Sequence, residues 1–294
     1  MKTHRFSGIF KFFILLQLSL FIIDGSSGQE RWFQIELSIF SNENVEDRQA
    51  EYWTPGNTDL SYPATSRRLR QLTDLFLSGK NLNEQSNIEK PLSQEDITNL
   101  IRIDQLKNIK PEARIADSDF KLIDFARDDF VQLPPNESDF QQTNRALERS
   151  SEHRLLFHGL WRQAVSKSSD AIPIYVEGGL NYGEDYELQG SLTIRFNETE
   201  DRIVVDTDVW LVEYSIVNNA SEDWILPKTP ESIQTEESAL PSSLSYYPNK
   251  VYPMKQTRQM RSNEFHYLDH PALGLVISVK PYNAPSNLES ESRF

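Results

Sequence analysis

His266 and His270, with Asp269 between them, form an H-x-x-x-H pattern. On a helix this spacing puts two imidazoles on one face within reach of a metal. Three features oppose that reading. Pro271 disfavours a helical His270, the flanking residues are strand-like, and no Glu follows His266 as a zinc-protease signature requires. On a strand, positions four apart lie ~13 Å from each other, too far to share a zinc bound at ~2 Å per ligand. No G-x-S-x-G elbow is present to present a serine nucleophile. With no Cys in the chain, thiol chemistry is excluded outright. Paired carboxylates of the kind that cleave glycosidic bonds have no specific signal here, because any two of 44 acids could meet in a cleft.

The run from Lys250 to Asn263 is more informative. It holds Lys250, Lys255, Arg258 and Arg261 and no acid, in a chain of net charge −14. Two readings stand side by side: a docking surface for carboxylates, or cations paired with acidic strands next door. Trp161-Arg162-Gln163 has the composition of a ligand-facing cluster, although tryptophan in such a place is more often core.

These residues must be carried by an exported, disulfide-free scaffold. Lys2, Arg5 and Lys11 precede an apolar run from Phe12 to Ile23, and small residues follow to Gly28. This is the pattern of a cleaved signal peptide. Its twelve residues, interrupted only by Gln17 and Ser19, give ~18 Å of helix against a ~30 Å hydrocarbon core, so an uncleaved anchor is the weaker reading. Cleavage after Gly28 removes three of 30 cations and one of 44 acids, and the net charge becomes about −16. Such a surface repels nucleic acid and anionic headgroups. No thioether lipid is available without Cys, so a soluble product with no stable membrane insertion is expected.

The fold class expected is α+β: an antiparallel sheet built from hairpins, with several covering helices. Alternation from Arg31 to Phe40 predicts a strand buried on one face. Helices are expected from Ser66 to Gly79 and from Ser93, each behind a capping residue, and from Ser138-Asp139-Phe140-Gln141 to about Glu152. Strands follow at Leu155 to Trp161, Ile172 to Val176, Tyr186 to Phe196 and Ile203 to Tyr214, the last two as a hairpin. The closing pair is Arg258 to Leu268 with Leu275 to Lys280. The organisation expected is a signal peptide over 1–28, an N-terminal strand with helices over 29–134, and a hairpin-rich region over 135–282. A mobile excursion falls at about 217–248 within that region, and 283–294 is a polar tail.

Four islands resemble the CsiV family, exported cell-shape-integrity proteins of Gram-negative bacteria. They are Arg31-Trp32-Phe33-Gln34-Ile35-Glu36; Leu156-Phe157-His158-Gly159-Leu160-Trp161-Arg162-Gln163; the hairpin from Leu188 to Arg195 and Ile203 to Leu211; and the run from Gln259 to Pro271. The resemblance lapses in the polar segment after Ile216. It implies a periplasmic, non-enzymatic, cofactor-free protein that binds peptidoglycan and supports cell-wall synthesis and cell shape. Its implied partners are a bifunctional penicillin-binding synthase and that enzyme's outer-membrane lipoprotein activator. Arg258, Arg261, His266, Tyr267, Trp161 and Arg162 are then the expected contact residues, since murein offers stem-peptide carboxylates and sugar faces. The alternatives are a periplasmic glycan hydrolase using paired carboxylates, and a protein-only adaptor without wall affinity.

Overall fold

The computed structural model describes residues 30–71, 123–218, 223–231, 233 and 245–285. Strand β1, Trp32–Asn42, runs between β2, His153–Ala164, and β8, Leu273–Tyr282, and β7, Phe265–Asp269, completes the sheet in the order β2-β1-β8-β7. The second sheet runs β3-β4-β5-β6, from Ile174–Tyr182, Asp185–Phe196, Ile203–Ser215 and Tyr247–Met260. Every pairing between these strands is antiparallel.

The period of two dictates which residues meet between the sheets. From the first sheet come Phe33, Ile35, Leu37 and Ile39 of β1 and Leu273, Leu275, Ile277 and Val279 of β8. From the second come Leu188, Leu192 and Ile194 of β4 and Val205, Val209 and Leu211 of β5. Together they make one continuous core, and burying each such side chain contributes about 1.5–3 kcal/mol. Gly190 interrupts the β4 series with φ +138°, and a Cβ there would lie 2.3 Å from the Asp208 carbonyl oxygen. The glycine lets β4 and β5 approach at that point.

The expected set of covering helices is corrected: the described residues are mostly β. Among them, one helix exceeds a single turn, α2 at Gln141–Arg149; α1, Val45–Arg48, is one turn long. Residues 66–71 are extended rather than helical, with Arg67 bridging Ile174 and Arg70 bridging Val131 in parallel. The Ser66 hydroxyl donates to the Pro63 carbonyl at 2.8 Å, and Leu69 enters the core. Helical spacing of apolar residues was outweighed there by the backbone partners that two neighbouring segments supply. The remainder of that predicted helix, the one expected from Ser93 and the signal peptide lie outside the described residues. Arg258 to Leu268 is not one strand either. β6 ends at Met260, the chain turns with Asn263 at φ 64°, and β7 joins the other sheet. β6 itself begins at Tyr247, inside the expected excursion. Among the described residues, no helix is long and apolar enough to cross a membrane.

Candidate functional site

Alternation along β1 puts Gln34, Glu36 and Ser38 on the face of the first sheet that turns away from the core. This face is covered by residues 123–149, and Glu36 is only 3 % exposed. Its carboxylate accepts from the backbone N–H of Asp139 at 2.8 Å and of Phe140 at 3.1 Å, from His158 Nε2 at 3.0 Å and from the Ser138 hydroxyl. Glu36 therefore supplies the negative charge at the start of α2, where unpaired N–H groups and the helix dipole favour it. The local capping signature at Ser138 is realised differently from expectation: the helix starts at Gln141, and Phe140 at its N-cap makes no side-chain cap. Burial pushes the Glu36 carboxyl upward, but bonds from His158, Ser138, Asp139 and Phe140 together hold it below the ordinary carboxylate range.

On the adjacent strand, Arg162 of β2 fastens the same covering segment. Its Nε and Nη2 donate to Gln34 Oε1 at 3.0 and 2.9 Å, Nη1 donates to the Phe125 carbonyl at 2.8 Å, and Nη2 also meets Glu137. The guanidinium lies 4.2 Å from the Tyr282 ring centroid, and its side chain is 11 % exposed. Trp161 faces the opposite way, fully buried in the core, with its Nε1 donating to Gln163 Oε1 at 2.8 Å. Neither residue offers a free polar end to a polymer. The first two sequence islands are thus neighbours, Gln34 opposite Arg162 and Ile35 opposite Trp161, and they encode a staple between sheet and covering segment.

Ser138, His158 and Glu36 are the types of a hydrolytic triad, yet they are wired differently. Serine and histidine both bond Glu36 Oε1, so the acid stands between nucleophile and base, and the imidazole is not oriented to draw the serine proton. The two histidines of the H-x-x-x-H pattern have separate surroundings. His266 Nε2 meets Glu264 at 3.2 Å, whereas His270 stacks on Trp53 at 5.2 Å and takes the Ala272 N–H at its Nδ1. Burial pushes the His270 imidazole below its usual value, leaving it neutral at pH 7. No group of three or more metal-ligating side chains occurs among the described residues.

The remaining four expected contact residues come together at one corner, on the end of β6, the 261–264 turn and β7. Gln256 Nε2 donates to the Asp269 carbonyl at 2.8 Å and ties the two edge strands together. The question posed by the basic run has a divided answer. Lys255 pairs with Asp208 at 2.9 Å. Arg154, Arg162, Arg195 and Lys280 on other strands also have carboxylate partners. Lys250, Arg258 and Arg261 are exposed and make no ion pair among the described residues. Beside them on β7, Phe265 and Tyr267 are 56 % and 47 % exposed. Tyr267 lies parallel to Phe40 at 6.2 Å and donates its hydroxyl to Asp269 at 2.7 Å. Burial and the Asp269 carboxylate hold that hydroxyl well above its ordinary value, so it remains a donor. The corner combines free guanidinium groups with aromatic surface, a composition suited to carboxylates and sugar faces. The role of Glu36 was hidden from sequence reasoning, because its cover comes from residues more than a hundred positions later.

A family model described as peptidoglycan-binding protein, CsiV, matches residues 11–282. No curated protein and no solved structure matches the chain.

Proposed function

We propose, because the chain belongs to the CsiV family of peptidoglycan-binding proteins, that it acts in the periplasm as a wall-binding accessory factor for peptidoglycan synthesis. The match over residues 11–282 carries the reading. The corner at Arg258 and Arg261 supports it by giving an acidic molecule two uncommitted guanidinium groups, which suit stem-peptide carboxylates. His266 and Tyr267 frame that contact, whereas Trp161 and Arg162, on β2 at the other edge of the first sheet, are spent on holding the fold. In the finer form of the proposal, the wall-bound protein assists a bifunctional penicillin-binding synthase through that enzyme's outer-membrane lipoprotein activator.

Co-sedimentation with purified sacculi tests the reading. Exposed charge contacts contribute about 0.5–1 kcal/mol each, so Arg258→Ala with Arg261→Ala weakens retention roughly 5- to 30-fold at low salt. Wild-type protein that stays in the supernatant removes the wall-binding function. Undiminished retention of the double variant removes the corner as the site. Release of soluble fragments from labelled murein would instead establish hydrolysis.

A further inference from the structure

The opposite end of the second sheet has a different chemistry. Register places Tyr182 of β3 across from Asp185 of β4, and Tyr214 and Ser215 of β5 across from Pro248 and Tyr247 of β6. The Tyr182 and Tyr214 rings stack at 4.6 Å with 28° between planes, and Tyr246 meets Tyr182 edge-on at 5.2 Å. Leu180, Ile216, Val217 and Tyr247 around them are exposed. The rings are held from below: the Gln189 amide donates to the Tyr214 hydroxyl at 3.2 Å, and Gly183 N–H donates to Asn181 Oδ1 at 3.2 Å to fix the β3–β4 turn.

We infer that this tyrosine end is a stacking surface for the sugar rings of the glycan strand, an inference that rests on the wall-binding reading above. A pyranose presents an apolar C–H face and a rim of hydroxyl and acetamido groups. Phenol rings answer both, with an apolar face and a hydroxyl that donates and accepts. Tyrosine has few rotatable bonds, and Tyr182 and Tyr214 stand on strands, so little entropy is lost when a ring docks. Charge separates this end from the corner. Glu184 and Asp185 border the tyrosines, and Arg154 near Tyr182 is already paired with Glu187 and Glu43. Among the described residues this leaves Lys250 as the exposed cation at this end; stacked phenol rings outweigh one lysine and make neutral sugar the fitting partner. Tyr247 and Arg258 are eleven steps apart along β6, ~36 Å at about 3.3 Å per residue. A polymer that reaches both ends binds by two contacts, whereas a short fragment engages one.

The test uses the full chain with three probes: intact sacculi, glycan strands stripped of their peptides, and free stem peptides. Wild type is expected to retain stripped glycan, Tyr182→Ala to lose about two- to tenfold, and Tyr182→Phe, which keeps the ring but not the hydroxyl, to fall between the two. Arg258→Ala with Arg261→Ala weakens the peptide arm more than it weakens stripped-glycan binding, whereas Tyr182→Ala does the reverse. Hydrogen exchange on glycan addition should slow at residues 178–186 and 212–217, a readout that needs no variant. Wild type that binds sacculi but ignores stripped glycan overturns the inference while sparing the wall-binding reading. Folded Tyr182→Ala with undiminished glycan binding, or a Tyr182-dependent dimer that occupies this end, overturns it too. Failure to bind sacculi at all sinks the wall-binding reading, and this inference with it.

Discussion

Glu36→Ala tests the structural account most severely. The carboxylate is 3 % exposed and takes four hydrogen bonds, from His158, Ser138 and the N–H groups of Asp139 and Phe140. Alanine removes that acceptor. Ser138 can turn elsewhere and His158 can meet water, but the Asp139 and Phe140 N–H groups lose the carboxylate. Each buried donor without a partner costs about 1–3 kcal/mol, and loss of a helix cap costs about 0.5–2 kcal/mol. The expected destabilisation is about 3–5 kcal/mol, a large fraction of the 5–15 kcal/mol typical of a folded domain. Glu36→Gln keeps one acceptor oxygen but turns an NH2 group toward donors, and should cost about 1–2.5 kcal/mol. Guanidinium unfolding followed by tryptophan fluorescence measures both. The pH dependence gives a second check. The folded-state carboxyl lies below its ordinary value, so its contribution is complete above the unfolded carboxylate range near ~4.3 and is lost as pH falls through the folded value. The stability gap between wild type and Glu36→Gln should therefore narrow below about pH 4. A cost under about 1 kcal/mol for Glu36→Ala, or a gap that ignores pH, would refute the role assigned to Glu36.

Two further variants probe the core. Trp161→Ala should cost about 3–5 kcal/mol in the same unfolding assay. With the fold stabilised by low temperature, its sacculus binding should match wild type, since the ring reaches no surface; a direct binding defect would contradict its burial. Gly190→Ala should cost about 2–4 kcal/mol, from a Cβ driven against the Asp208 carbonyl at a φ suited to glycine. Circular dichroism melts that coincide with wild type would show that β4 and β5 are not so close.

Strands with strict alternation were legible from residue type alone. β1, β4 and β5 emerge within one or two residues of expectation, because one face of each is apolar and the period is two. Features set by distant chain were not legible. Glu36 sits among the polar residues of β1 and reads as solvent-facing until residues 123–149 close over it. β6 was missed over most of its length, from Tyr247 to Thr257, because Lys250, Lys255 and the prolines at 248 and 253 obscure the alternation, and an edge strand tolerates such residues. Of the six expected contact residues, Arg258, Arg261, His266 and Tyr267 share a corner. Trp161 and Arg162 carry equally suggestive chemistry, but the sheet consumes it. Residue type announces affinity; only placement says whether that affinity is already spent internally.

β1 pairs with no near neighbour in sequence. Leu37 lies opposite Gly159 and Ile277, about 120 and 240 residues downstream. The strand at the centre of the first sheet therefore cannot acquire its second ladder until the last strand has been made. Contact order this high slows folding, and the entropy of closing such long loops must be lost before pairing offsets it. For a chain exported N-terminus first, as proposed, this delay keeps the leading segment unfolded through translocation. The first residues to reach the new compartment are the ones that must wait longest for their partners.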